Sequence, residues 1–299
     1  MRPHSGQKHV RRSQFLRVCL FFLLRATESA KVSEGQTLVF PTLLESRSSN
    51  GVRVVQITKD LTLKLEKSSV VGKEFLLRTY QEGFMQHTYL DGEALEEDLY
   101  HDVEALASVM LSEGNGFKVE GILGLTLRIK PLDGQERTTE GHVPHVLYEY
   151  KDDDSIDDVK GLNTVEPRAR VSELHYYQQA ETVPEIIYPE LLVLVDSTLR
   201  SQFSADAKVL KYFIISMNAV NLRYMTVSEP GVRLILSALE ILTRDQEPFL
   251  DRVDGDKVEG YSTIELLRVH VFRNKSRYAN YDVVYLATGL DMGWKAPEG

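Results

Sequence analysis

Apolar residues run without polar interruption at Leu191-Leu192-Val193-Leu194-Val195, fenced by Pro189-Glu190 before and Asp196 after. A short unbroken run of this kind suits a strand buried on both faces of a parallel sheet. Two similar runs follow, from Val232 through Leu242 and at Val283-Val284-Tyr285-Leu286-Ala287. Between the first two, Leu210, Phe213, Ile214, Met217, Val220 and Tyr224 recur at three- and four-residue spacing, which predicts a helix over 204–227 ended by Glu229-Pro230-Gly231. Between the second and third, Ser262-Thr263-Ile264-Glu265 has the form of a capping box opening a helix that runs to about Arg273. Three apolar strands separated by helices predict a right-handed βαβαβ half-sheet.

The chain before residue 150 is patterned differently. Leu61-Thr62-Leu63-Lys64-Leu65-Glu66-Lys67 alternates with period two, the mark of a half-exposed strand. Leu38–Pro41, Val52–Ile57, Phe117–Val119 and Leu125–Ile129 are further short strand segments, punctuated by Asn115-Gly116, Gly121, Gly124 and Asp133-Gly134. A helix is expected only over 93–110. The fold class expected is therefore an α+β two-domain chain, a β-rich module followed by an incomplete α/β domain.

Composition refines this picture at three places. Val18–Leu24 is a seven-residue apolar run, preceded by Arg2, Lys8, Arg11, Arg12 and Arg17 and followed by Ala26-Thr27-Glu28-Ser29-Ala30. That is the layout of a secretory signal peptide over 1–30, and it is far short of the ~20 residues of a transmembrane helix. Cleavage there would remove Cys19, the single cysteine, and with it any disulfide or thiolate chemistry. Asp152, Asp153, Asp154, Asp157 and Asp158 open an acidic, aperiodic stretch that reads as a linker over 151–184 between modules at 31–150 and 185–299; Arg168-Ala169-Arg170 inside it is a weak processing site. The net charge of −9 argues against a general nucleic-acid or anionic-membrane binder, while leaving room for local basic patches.

Few residues carry recognisable chemistry. No Gly-x-Ser-x-Gly elbow or phosphate loop is present. His142-Val143-Pro144-His145 is the only close histidine pair, and the intervening proline breaks the helical stacking that would let both hold one metal. Asn274-Lys275-Ser276 is the sole glycosylation sequon, placed where the second helix should end on the surface.

Several stretches nevertheless carry a resemblance. Leu76-Leu77-Arg78-Thr79-Tyr80, His87-Thr88-Tyr89, Leu95–Asp102, Phe117–Leu123 and Leu127–Leu132 resemble the prodomain of the reprolysin (adamalysin-like) zinc metalloproteases of the metzincin clan, tick salivary members above all. Pro189–Asp196, Asn218–Tyr224 and Tyr281–Gly289 resemble the first strand, first helix and third strand of its catalytic domain. The resemblance implies a secreted, extracellular zinc metalloendopeptidase precursor acting on host proteins. It also implies a zinc helix, His-Glu-x-x-His, in which two histidines one turn apart hold the metal and the glutamate serves as general base. None of the eight histidines opens that motif, so zinc ligands and catalytic residues are both expected to be none in this chain, and the chain is expected to stop short of its active site. What the resemblance does transfer is a structural calcium site drawing on Glu190 and Asp282. Two carboxylates leave most of calcium's 6–8 oxygen positions open, so a strand-end glutamate and an exposed aspartate stand as the equal alternative. The other function considered is a non-catalytic secreted prodomain-like binding or inhibitory protein.

Overall fold

The structure is a computed structural model that describes residues 35–45, 51–132, 138, 141–149 and 184–293. The leader with Cys19, the acidic stretch with Arg168–Arg170, and Trp294 lie outside the described residues.

The first half is almost entirely strand: β1 (Gln36–Val39), β2 (Thr42–Glu45), β3 (Arg53–Gln56), β4 (Thr62–Lys67), β5 (Val71–Gln81), β6 (Phe84–Asp91), a single helical turn α1 (Gly92–Leu95), β7 (Leu99–Asp102), β8 (Ala107–Ser112), β9 (Lys118–Leu123), β10 (Leu127–Pro131) and β11 (His145–Glu149). Nine of these form one curled antiparallel sheet in the order β1-β11-β10-β9-β8-β7-β4-β3-β2. The alternation read in β4 is realised, with Leu63 and Leu65 fully buried and their neighbours exposed. The helix expected over 93–110 is not formed. After one turn at Gly92–Leu95 the chain enters β7 and β8, whose Ala107–Leu111 run is buried residue after residue. Successive positions are buried because β8 lies between the core of its own sheet and a covering helix, so burial there follows neither a strand period nor a helical one.

The second half holds β12 (Ile186–Ile187), β13 (Glu190–Val195), α2 (Ser197–Ser201), α3 (Asp206–Tyr224), β14 (Gly231–Val232), β15 (Ile235–Ile241), β16 (Arg252–Asp254), β17 (Lys257–Glu259), α4 (Gly260–Arg273), α5 (Lys275–Tyr278), β18 (Val283–Ala287) and β19 (Asp291–Gly293). The expected apolar run becomes β13, buried along Leu191–Val195 and paired in parallel with β15 on one side and β18 on the other. Leu191, Val193 and Val195 join a core with α3, whereas Leu192 and Leu194 join a second core with α4 and α5 residues such as Leu267 and Tyr278. Helices thus cover both faces, as an unalternating strand requires. The run expected from Val232 to Leu242 is divided: β14 pairs with β12, and only β15 enters the main sheet.

Two features depart from the pattern reading. The sheet does not end at β15. Its order is β18-β13-β15-β5-β6, so the hairpin β5–β6 from the first half adds a parallel and then an antiparallel strand. Helix α3 is not an ordinary amphipathic helix either, because it is buried on successive residues from Phe213 to Ala219. One side meets β13 and β15. The other meets the curled sheet, where the Ser108 hydroxyl donates to the Ile215 carbonyl at 2.8 Å and Asn218 Nδ2 donates to Ser108 Oγ at 2.9 Å. A helix held between two layers buries its whole circumference, and this is why its polar Ser216 and Asn218 are inside.

Candidate functional site

In open α/β sheets, ligands gather beyond the carboxyl ends of the parallel strands. Here that end is occupied by buried carboxylates bound to the protein itself. Asp196, fully buried at the end of β13, caps α2 by accepting from Leu199 N–H at 2.6 Å. It also accepts from Thr288 Oγ1 at 2.5 Å and from Gly289 N–H at 3.1 Å in the turn after β18. Burial pushes its pKa up and these three hydrogen bonds pull it back. A Cβ on Gly289 would stand 2.7 Å from Leu199 N, so only glycine lets the turn close over α2. Glu247, also buried, accepts from Ser197 N–H and from Arg252 at 2.8 Å. Every carboxylate here ties one element to the next, which is structural work.

The opposite end of the strands carries the two sequence-identified positions. Glu190 and Asp282 are neighbours: Asp282 N–H donates to the Glu190 carbonyl at 2.9 Å, and Asp282 Oδ2 accepts from Glu190 N–H at 3.0 Å. Both residues are exposed. The Asp282 carboxylate thus caps the start of β13, and no group of three or more His, Cys, Asp or Glu side chains suited to a metal occurs among the described residues. By themselves, one exposed glutamate and one engaged aspartate do not complete a six- to eight-oxygen calcium shell. Among the described residues no cluster of side chains fits zinc either.

His145 is fully buried in β11, its Nε2 accepting from Val119 N–H at 2.9 Å and its Nδ1 lying 2.9 Å from the Val143 carbonyl. Those partners require a neutral ring protonated on Nδ1, and burial lowers its pKa accordingly. Asn274 ends α4 and is half-buried, with Nδ2 donating to the His270 carbonyl at 2.8 Å. The box expected at Ser262–Glu265 is displaced. The N-cap of α4 is Glu259, whose carboxylate accepts from Tyr261 and Ser262 N–H, and the Ser262 hydroxyl turns to Asp251. Glu259 takes the cap because β17 delivers the chain to the helix one residue before Gly260.

Two features escaped the sequence. The first is a groove of about 370 Å³ between α4–α5 and the edge strand β18, lined by Leu267, Val271, Phe272, Tyr281 and Val283 among others, with Arg268, Lys275 and Asp282 also in its lining. The second is an ion cluster across the β5–β15 seam. Glu240 of β15, fully buried, is bound by Arg78 of β5 at 3.2 Å, by Tyr80 Oη of β5 at 3.1 Å and by Arg277 of α5. Arg78 also donates to the Arg277 carbonyl at 3.0 Å. A lone glutamate in an apolar strand signals a buried partner, but pattern alone does not say where on the chain that partner lies.

No protein-family model matches the chain. Curated relatives do. The chain is 27% identical to venom metalloproteinase antarease TserMP_A of Tityus serrulatus, over 93% of this chain and 69% of that protein. It is 26% identical to an a disintegrin and metalloproteinase with thrombospondin motifs-like protein of Bombyx mori, over 67% of this chain but only 29% of that protein. It is 22% identical to venom metalloproteinase BumaMPs1 of Olivierus martensii, over 92% of this chain and 70% of that protein. These similarities, running through both the β-rich half and the parallel sheet, support a metalloprotease family for this chain.

Proposed function

We propose that this chain is part of a secreted zinc metalloendopeptidase precursor of the reprolysin type, in the tick salivary group, that acts on extracellular host proteins. In this reading 1–30 is a signal peptide, 31–150 a β-rich prodomain, 151–184 an acidic linker and 185–299 the N-terminal part of the catalytic domain. The observation that carries the reading is a similarity to venom metalloproteinases spanning 93% of the chain. The parallel β15-β13-β18 arrangement with helices on both faces agrees with it. Among the described residues, no helix is long and apolar enough to cross a membrane. Asn274 is the proposed glycan acceptor, at the end of α4.

The zinc chemistry belongs to a His-Glu-x-x-His helix, and these 299 residues contain none. On this reading these 299 residues alone are expected to show no protease activity. Purified protein supplied with zinc should cleave neither casein nor quenched peptide libraries; chelator-sensitive cleavage would refute the reading. Sequencing the transcript past the Gly299 codon tests the ancestry separately. Continuation into a His-Glu-x-x-His helix supports a protease precursor, and a stop codon favours the non-catalytic binding protein.

A further inference from the structure

The β5–β6 hairpin is built into the sheet of the second half, and the bonds across that seam are of a kind found inside domains. Pairing of β5 with β15 aligns Val71 with Leu236, Leu76 with Ala238, Leu77 with Leu239 and Arg78 with Glu240. Val70, Val71, Phe75, Leu99, Met110 and Ile122 from the first half share one core with Leu191, Val193, Phe213 and Ile214 from the second. Leu76 crosses to the opposite core with Leu192 and Leu194. The first half therefore lies on both faces of β15 as well as on its edge. Apolar seams of this type resemble obligate interfaces, a domain core cut in half.

The Arg78–Glu240–Arg277 cluster adds specificity. Glu240 is fully buried and Arg78 nearly so, with side-chain exposures of 0% and 7%. Pulling β5 away would strand a buried carboxylate with one cation fewer and would leave the Arg277 carbonyl without its Arg78 donor. The pair Arg53–Glu113, by contrast, lies wholly within the first half.

We infer that a cut anywhere between Glu149 and Pro184 leaves the β-rich module bound as a non-covalent subunit of the remaining sheet, held by β5 and the Arg78–Glu240–Arg277 cluster. The partner it recognises is a parallel sheet edge that offers a buried carboxylate. Processing in the connecting stretch then converts one chain into a two-chain particle and does not free the second half. Separation requires a further event that unzips β5.

The test uses the full chain with a site-specific protease sequence inserted in the connecting stretch. While joined, the two halves hold one another at an effective concentration in about the millimolar range, so affinity becomes visible only after cutting. Cut wild-type protein should elute as one particle under native conditions down to nanomolar concentration. Cut Arg78→Met protein should fall apart at a concentration on the order of 100-fold higher, and Arg78→Lys, which keeps the charge but not the two-pronged contact, should lie between. Arg53→Met should behave as wild type. Should Arg78→Met fail to fold uncut, Arg78→Lys alone carries the comparison. Separation of the cut wild-type halves in native buffer would overturn the inference; equal dissociation of wild type and both Arg78 variants would overturn the part assigned to the cluster.

Discussion

At the scale of single residues, most of the polar groups that invited a chemical reading turn out to hold the fold. His145 is the clearest case, because its neutral ring accepts from Val119 N–H and faces the Val143 carbonyl inside the curled sheet. Its pKa lies below the ordinary 6.5 through burial, and burial lowers those of His101 and His270 as well. The sign of the linkage follows. Above 6.5 these histidines are neutral in both folded and unfolded chains, and their contribution is constant. As pH falls below 6.5 the unfolded chain takes up protons that the folded one refuses, so stability drops until the folded pKa values are reached. Thermal melts between pH 7.5 and 5 should show Tm falling with acidity, and His145→Gln should flatten part of that slope. A Tm that is flat or rises over the interval would contradict the burial of these rings.

At the scale of elements, α3 shows how burial rearranges the meaning of a periodic pattern. Periodicity correctly placed a helix near residues 204–227, and its Phe213 and Ile214 are indeed core residues. The same pattern set Val220 and Tyr224 on the apolar face, yet both are only half-buried, whereas the polar Asn218 is 5% exposed. Asn218 binds Ser108 Oγ, and Ser108 in turn binds the α3 backbone, so the pair ties the helix to β8. Asn218→Ala should therefore cost about 1–3 kcal/mol by stranding buried partners, more than Val220→Ala. Urea denaturation of the two variants decides it; a larger loss for Val220→Ala would restore the simple amphipathic helix. The same sandwiching explains why residues 93–110 misled the pattern reading, since β8 is covered on both sides.

At the scale of the whole molecule, the two halves are distinct in pattern but share a sheet and a core. Residues 185–299 expressed alone would expose the β15 edge, the faces that Phe75 and Leu76 cover, and a buried Glu240 lacking Arg78 and Tyr80. They should aggregate or bind hydrophobic dye without a cooperative melt, and co-expression with 31–150 should return a soluble complex. A sharp melt with protected amides from the isolated second half would defeat this view.

What the sequence by itself determined is local. An unalternating run must be buried on both faces, so β13 was legible from Leu191 to Val195. A period-two run must have one wet face, so β4 was legible as well. The lack of a His-Glu-x-x-His helix was legible because that chemistry demands fixed spacing on one helix face. What only the tertiary structure decided is which distant segments meet. Arg78 and Glu240 are 162 positions apart, and nothing in either one's neighbours encodes the other. Glu190 and Asp282 were named together by resemblance, but their pairing as a backbone cap depends on β13 and β18 lying side by side. The union of the β5–β6 hairpin with the parallel sheet arises for the same reason: a sheet edge accepts any strand whose faces suit the two cores, and that fit exists only once both halves have folded against α3.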